Sequence, residues 1–319
     1  MTPLEQAARA AQRAPSVFNT QPWSWQITGR TMELFADPDR RVESIDPDGR
    51  LLLLSCGAAL HHARVALNAA GWAARVERLP DPSQPALLAR ITLGGNIPPD
   101  PENQRMAAAM QRRHTDRRAF GDRVVSEQEL TKLRRFVEYE GAYLHVVRPD
   151  QIATLAIGSE LAGSAELDDP AYRADLTRWT TRPVQSGDGV PPDTAVQPDL
   201  RRVPQRDFFP EAGAGLPAGA AHDRGAAYVV LFGNGDGRRE LLHGGEALSA
   251  LLLLATADGL STAPLSDTIE VAWPRHLLRS LLADVGEPYL VVRLGYVPDR
   301  QPVPAAPRRA PHDVIIIND

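Results

Sequence analysis

The 319-residue chain has little cysteine, little lysine and no long apolar run, and each scarcity excludes a class of function. Cys56 is the only cysteine, so neither an intrachain disulfide nor a cysteine metal cluster can form. Its apolar surroundings, residues 51–60, favour a buried structural thiol over a nucleophile. Lys132 is the only lysine, which excludes a P-loop because that loop needs a lysine after its glycines. Any bound phosphate must therefore be held by arginine, hydroxyl or backbone N–H groups.

Charge and hydropathy argue against two classes of partner, nucleic acids and membranes. The net charge of −5 argues against non-specific binding to nucleic acid or to an anionic membrane. The most apolar stretches, residues 51–60 and 247–255, are far shorter than the ~18–20 residues of a membrane span. Residues 1–14 are amphipathic and charged, unlike the apolar core of a signal peptide. We therefore expect a cytoplasmic protein with no nucleic-acid or membrane partner.

An internal repeat organises the chain. Gly57 and Gly71 bound one Ala- and Leu-rich helix and Gly245 and Gly259 bound another, and the two copies are 188 positions apart at both glycines. Each helix is followed by a β-like run that ends in Leu-Gly, over residues 87–94 and 289–295. Glycine commonly ends helices, so chance is one explanation, but the gap-free spacing favours duplication. We predict an α+β fold built twice, with its halves at residues 1–100 and 101–319.

Hydrophobic periodicity and the positions of glycine and proline predict the helices and strands of each half. In the first half we expect a helix over 3–14, a hairpin of 23–27 and 31–36, a helix over 51–70, and strands over 75–79 and 88–93. In the second half we expect helices over 102–112, 126–140, 151–162, 175–179 and 238–257, and strands over 142–147, 228–232 and 290–294. Residues 181–224 are rich in proline and glycine, which predicts a lid or a disordered loop. An extended arm follows Pro298.

The most specific short sequence motif, which we call a word, lies between the first predicted helix and the first predicted strand. It reads Ala14-Pro15-Ser16-Val17-Phe18-Asn19-Thr20-Gln21-Pro22-Trp23. Two prolines stiffen this loop and leave Ser16, Asn19 and Gln21 as hydrogen-bonding groups. From the residues alone, a polar turn that caps the helix, with Trp23 in the core, is the favoured interpretation.

Three further words carry chemistry. Arg113-His114-Thr115-Asp116-Arg117 places two guanidinium groups on either side of a hydroxyl, which suits an anion, although a solvated basic run is the alternative. A Gly-Leu step and a Pro-containing turn follow the second repeated helix, over residues 259–267. Pro307-Arg308-Arg309 is a short basic word, and a disordered tail is its alternative.

These four words together resemble the nitroreductase family, and most closely its Acg branch, whose members are duplicated within one chain. The resemblance covers residues 2–311 and implies a nitroreductase-like fold whose halves mimic the nitroreductase dimer. It implies one composite FMN site, because the Pro-Ser word occurs only in the first half and the Arg word only in the second. The implied cofactor-binding residues are Ser16, Asn19 and Gln21 in the flavin loop, Arg113, Thr115, Arg117, Arg308 and Arg309 at the phosphate and ring edge, and Pro264, Leu265 and Ser266, whose backbone passes flavin N5. Phe18 stands where the Acg branch usually has histidine.

The resemblance implies hydride transfer through flavin N5 from NADH or NADPH to a nitroaromatic or quinone-like acceptor. No side chain needs to act as acid or base, so we expect no catalytic residue, and the eight histidines show no metal-ligand spacing. A lid over residues 181–224 supports an alternative, a protein that sequesters or stores FMN without turnover. An interaction protein without a cofactor is a third interpretation. Duplication also predicts a monomer, because the interface that would pair two subunits already lies within the chain.

Overall fold

The structure is a computed structural model that describes residues 1–210, 215–219, 221–298 and 302–318. Residues 211–214 and 220 of the predicted lid, and residues 299–301 and 319 of the predicted arm, lie outside this description. Within it, helices and strands are mixed, as the α+β prediction requires.

The first half contains two helices and four strands. They are α1 (Pro3–Ala11), β1 (Trp23–Thr28), β2 (Thr31–Ala36), α2 (Arg50–Ala69), β3 (Trp72–Arg78) and β4 (Leu87–Asn96). Thr2 caps α1, since its hydroxyl accepts the N–H of Glu5. The predicted hairpin is confirmed, because Thr28 pairs with Thr31 across the two-residue turn between β1 and β2.

The second half contains more elements than the sequence predicts. They are α3 (Pro101–Met110), α4 (Glu127–Tyr139), β5 (Tyr143–Val146), α5 (Ile152–Asp168), α6 (Pro170–Thr180), β6 (Ala227–Gly233), α7 (Arg238–Ala257), β7 (Ser261–Leu265), α8 (Asp267–Glu270), α9 (Ala272–Leu281), β8 (Glu287–Gly295), α10 (Pro311–Val314) and β9 (Ile315–Asn318). The capping box of Ser126 and Glu129 at the start of α4 forms as predicted.

The two sheets share a strand order but not their connections, since β1 and β2 join through a two-residue turn whereas α5 and α6 lie between β5 and β6. The first sheet has the order β3-β4-β2-β1-β9, and the second has the order β5-β6-β8-β7. Along the chain of each half, a helix precedes the first strand, and a long helix, α2 or α7, separates the first two strands from the last two. Across each sheet, these four strands lie side by side in the order first, second, fourth, third. Strand β9 is the exception, because the C-terminal arm returns to the first sheet and pairs in parallel with β1.

The two repeated helices, α2 and α7, are buried and in contact with each other. Helix α2 packs on the first sheet, α7 packs on the second, and the two helices pack on each other. The closest approach is at Gly57 and Gly245, where a Cβ on Gly57 would lie 2.1 Å from the carbonyl oxygen of Leu242. A Cβ on Gly245 would lie 2.1 Å from the carbonyl oxygen of Leu54. This reciprocal contact between residues 188 positions apart is the kind that an isologous interface makes.

Two predictions about the chain after α7 are wrong. The Pro-containing turn is an edge strand, β7, in which Pro264 pairs with Val292 of β8. An edge position tolerates proline because one side of the strand needs no ladder hydrogen bond. The arm is extended as predicted over residues 302–310, but it then ends in α10 and β9 instead of remaining irregular.

Candidate functional site

Two adjoining cavities lie where the halves meet. Pro15, Ser16, Phe18, Thr115 and Arg117 line both of them. One, of about 110 Å³, is lined mainly by apolar side chains of α2, α7 and β8 and by the end of β7, and we call it the apolar cavity. The other, of about 160 Å³, is lined by the C-terminal arm and by residues 110–115 and 117, and we call it the arginine cavity. Residues from distant parts of the sequence therefore share one site.

The Pro-Ser loop has a strained backbone. Phe18, Asn19 and Gln21 adopt left-handed φ values of 46°, 54° and 49°. Such a conformation costs a non-glycine residue about 1–3 kcal/mol and persists only when its surroundings determine it. Here the Ser16 hydroxyl accepts the N–H of Gln21 at 2.9 Å, and Ser55 of α2 accepts the N–H of Val17 at 3.3 Å. The loop thus has the local strain that is typical of functional sites.

Asn19 and Gln21 join this loop to two other segments. The Asn19 amide donates to Gly189 O at 3.1 Å, and its Oδ1 accepts from Arg308 Nη1 at 3.0 Å. Gln21 donates to Gly187 O at 2.8 Å and accepts the Arg309 N–H at 3.0 Å. Asn19 lines the arginine cavity, whereas Gln21 and Arg309 line neither cavity. The structure therefore places Gln21 and Arg309 behind the site, where they position the loop and the arm.

The Arg word lies beside β7. The N–H of Asp116 donates to Thr262 O at 2.9 Å, which brings Thr115 and Arg117 next to Pro264, Leu265 and Ser266 at the apolar cavity. Arg293, fully buried on β8, supports the turn from behind, because its Nη2 donates to Asp116 O at 2.8 Å and to Arg118 O at 2.9 Å. Arg293 is not predictable from the sequence, since nothing in a strand pattern shows which turn lies behind the strand.

The arginine cavity is strongly cationic. Five arginines line it, namely Arg13, Arg112, Arg113, Arg117 and Arg308. Among the residues that the structure describes, no aspartate or glutamate lines it. In the described part of the chain, Nε and Nη1 of Arg113 and Nε of Arg308 are buried without a hydrogen-bond partner. A cluster of this kind lacks the anion that would balance it.

Burial changes the pKa of these guanidinium groups. It lowers the pKa of Arg113 to about 10. Burial, reinforced by Arg113 and Arg13, lowers the pKa of Arg308 to about 9. Burial, with Arg206 nearby, lowers the pKa of Arg117 to about 10. All three remain charged at neutral pH, so each charge is held in the site at a cost that a bound anion would offset.

Three residues of the 181–224 segment line the apolar cavity. Gln205, Arg206 and Phe208 line the cavity, and the Phe208 ring meets Phe18 edge to face at a centroid distance of 5.6 Å. The guanidinium of Arg206 lies 4.9 Å from the centre of the Phe18 ring. The proline and glycine content of this segment predicts a lid or a disordered loop but none of these residues, because the segment has no periodicity that would mark an inward face.

Among the described residues, no group of three or more His, Cys, Asp or Glu side chains is placed to hold a metal ion. In the same part of the chain, no helix has the length and apolar character needed to span a bilayer.

Comparison with known proteins identifies the family. No family model matches the chain. A protein of Mycobacterium tuberculosis named "Putative NAD(P)H nitroreductase Rv3131" is 38% identical over 314 residues, which cover 96% of this chain and 88% of that protein. Another from the same organism, "Putative NAD(P)H nitroreductase acg", is 37% identical over 312 residues, 96% of this chain and 93% of that protein. The chain belongs to the nitroreductase family. This confirms the family that the four sequence words predict, including its Acg branch.

Solved structures of nitroreductases are more distant. The FMN-dependent nitroreductase NfnB from Mycobacterium smegmatis, solved in complex with NADPH, is 17% identical, with a TM-score of 0.39 over 68% of this chain and 94% of that one. The FMN- and NADPH-dependent nitroreductase NfnB from a Sphingopyxis strain is 16% identical, with a TM-score of 0.42 over 67% and 99%. Membership in the nitroreductase family rests on the mycobacterial relatives.

Proposed function

We propose that this nitroreductase-family chain binds FMN across the two cavities and acts as an NAD(P)H-dependent oxidoreductase. The observation that carries the proposal is the arginine cavity, whose five arginines have no carboxylate among the described lining residues. A phosphate group supplies the missing anion, and arginine binds phosphate with paired, charge-assisted hydrogen bonds. The neighbouring apolar cavity suits an aromatic ring, because Leu51, Leu54 and Leu248 line it.

The site residues that the sequence predicts divide into three groups on this proposal. Arg113, Thr115, Arg117 and Arg308 hold the phosphate end, where Arg113 and Arg308 offer their free N–H groups. Ser16, Pro264, Leu265 and Ser266 line the apolar cavity and contact the ring. Asn19, Gln21 and Arg309 position the loop and the arm. Bound FMN supplies hydride transfer at N5, and the chain's residues bind it, orient it and exclude water.

We infer that each chain has one such site. The proposed duplication relates Ser266, which directly follows β7, to Arg78 at the end of β3, and these two residues are also 188 positions apart. The Arg78 side chain turns inward and pairs with buried Glu246, Nε to Oε2 at 2.6 Å. Arg64 joins Glu246 at 2.7 Å to Glu140 at 2.6 Å. This ion-pair network fills the place that a second site would take, which supports a single flavin per chain. On the same proposal the chain acts as a monomer, because the interface that would pair two subunits lies within it.

The absorbance spectrum of the purified protein is the first test. We expect a flavin band of one FMN per chain, bleached anaerobically by NADH or NADPH and restored by a nitroaromatic or a quinone. A protein without flavin, which also fails to bind added FMN, would overturn the proposal. A flavoprotein whose flavin neither nicotinamide reduces would overturn the oxidoreductase part only.

A second candidate function is sequestration of FMN without turnover. It is favoured by Gln205, Arg206 and Phe208, which line the apolar cavity from the 181–224 segment. The interactions that hold this cover include the edge-to-face contact of Phe208 with Phe18 and the ion pairs of Arg206 with Glu166, Nη2 to Oε1 at 3.0 Å, and with Glu270.

The double variant Arg206→Ala, Phe208→Ala distinguishes the two functions. If the cover blocks turnover, we expect at least a tenfold faster reduction of bound flavin by NADPH, and readier quenching of flavin fluorescence by iodide. Leu200→Ala is the matched control, because Leu200 lies in the same segment and is 81% exposed. An unchanged reduction rate in the double variant would argue against sequestration.

A further inference from the structure

Asp267 is the only carboxylate among the described residues that line the apolar cavity. It follows Ser266 directly and is the first residue of α8. The side chain is 4% exposed, and its Oδ1 accepts the N–H of Thr268 at 2.9 Å. A buried acid therefore stands beside the segment that the proposed function places against the flavin ring.

Asp267 lies next to a guanidinium that is already paired. Arg206 forms ion pairs with Glu166 of α5 and Glu270 of α8, and no ion pair joins it to Asp267 in the described part of the chain. The other titratable groups around this cluster include Arg117, which lines the same cavity near Arg206, and Tyr172 of α6, beside Arg206 and Glu166. They also include Asp46, which precedes α2 and faces Glu270. Asp267 is thus left without a counter-ion.

The electrostatics favour a protonated Asp267 under mildly acidic conditions. Burial, opposed by Arg206 and reinforced by Glu270, raises its pKa to about 6. A general acid works best when its pKa lies near the working pH. Burial also raises the pKa of Glu166, to about 9, but Glu166 does not line the cavity.

We propose that Asp267 is the acid that gives the electron acceptor its proton, an inference that rests on the proposed function. A quinone becomes a hydroquinone by taking up two electrons and two protons. Hydride from the nicotinamide donor, passed on through the flavin, carries both electrons and one proton to one quinone oxygen. Asp267 gives the second proton to the other oxygen, where the second O–H bond forms, and regains a proton from solvent.

The test compares Asp267→Asn with Asp46→Asn in the flavin-loaded full-length protein. Asp46 is a matched control because it is also buried, burial also raises its pKa to about 6, and it lines neither cavity. The flavin is photoreduced and mixed anaerobically with benzoquinone, so that the result does not depend on nicotinamide oxidation. We expect Asp267→Asn to slow quinone reduction at pH 5.5 by on the order of 100-fold and to abolish the fall in rate above about pH 6.

Two further measurements separate proton donation from a structural effect. Ferricyanide takes one electron and no proton, so Asp267→Asn should reduce it at the wild-type rate. In the resting oxidised protein, the visible flavin spectrum should shift with a midpoint near pH 6 in wild type and Asp46→Asn, but not in Asp267→Asn.

Equal losses with quinone and ferricyanide, or an unchanged pH profile in Asp267→Asn, would overturn the role of Asp267 and leave the proposed function standing. The photoreduced wild-type protein could pass electrons quickly to quinone although neither nicotinamide reduces its flavin. That result would overturn the proposed NAD(P)H activity, and the comparison of Asp267→Asn with Asp46→Asn would still test proton donation. A chain that binds no flavin would overturn both.

Discussion

Arg113→Gln should weaken FMN binding and at the same time stabilise the protein without cofactor. Nε and Nη1 of Arg113 are buried and unpartnered in the described structure, so both are available to phosphate. A charge-assisted hydrogen bond contributes about 1.5–3 kcal/mol, so losing two of them costs about 3–6 kcal/mol. The dissociation constant of FMN should therefore rise by about 100-fold to 10,000-fold.

The opposite effect on the apoprotein follows from the pKa of Arg113. Burial lowers that pKa from 12.5 to about 10, which corresponds to at most about 3 kcal/mol of lost stability at neutral pH. The sign follows from linkage: the folded-state pKa is below the unfolded value, so the charged group opposes folding at any pH below about 10. Glutamine carries no charge, so the apoprotein should melt at the same temperature or several degrees higher.

Two measurements check this prediction, FMN titration followed by quenching of its fluorescence, and thermal melting with and without FMN. Arg9→Gln is the matched control, because Arg9 is exposed on α1, and it should change neither quantity. A variant that binds FMN as tightly as wild type, while its apoprotein melts several degrees lower, would refute the reasoning and make Arg113 a structural residue.

Two other predictions concern the centre of the fold. Gly57→Ala should lower the free energy of unfolding by about 3 kcal/mol or more, because the new Cβ would lie 2.1 Å from the carbonyl oxygen of Leu242. Gly163→Ala should instead stabilise α5 by about 0.5–1 kcal/mol, because nothing lies within 4 Å of its Cβ. Thermal melts of the two variants test this difference. Burial lowers the pKa of His61 to about 3, below its unfolded value, so stability should fall by up to about 5 kcal/mol as pH decreases from 6.5 to 3. His61→Gln should flatten that part of the stability profile in urea titrations, and an equally steep profile would contradict it.

Local features were readable from the sequence because they depend on neighbouring residues. The bounds of α7, the β1–β2 hairpin and the Ser126 capping box all follow from periodicity and capping chemistry, which act over one or two turns of chain. The repeated glycines were also visible, although only the structure shows that Gly57 and Gly245 touch. The four words identified the family, since a motif preserves the chemistry of a site even when its geometry is unknown.

Long-range features were decided by tertiary structure alone. Strand β9 exists because Ile315–Asn318 pairs with β1, nearly 300 residues away in the sequence, and no local pattern marks that pairing. The arginine cavity depends on Arg113 and Arg308, which are nearly 200 residues apart in the second half, meeting Arg13 of the first half. The raised pKa of Asp267 comes from burial beside an arginine that is already paired. A sequence contains the residue types of a site, but burial and charge balance are properties of what surrounds them, and those appear only once the chain has folded.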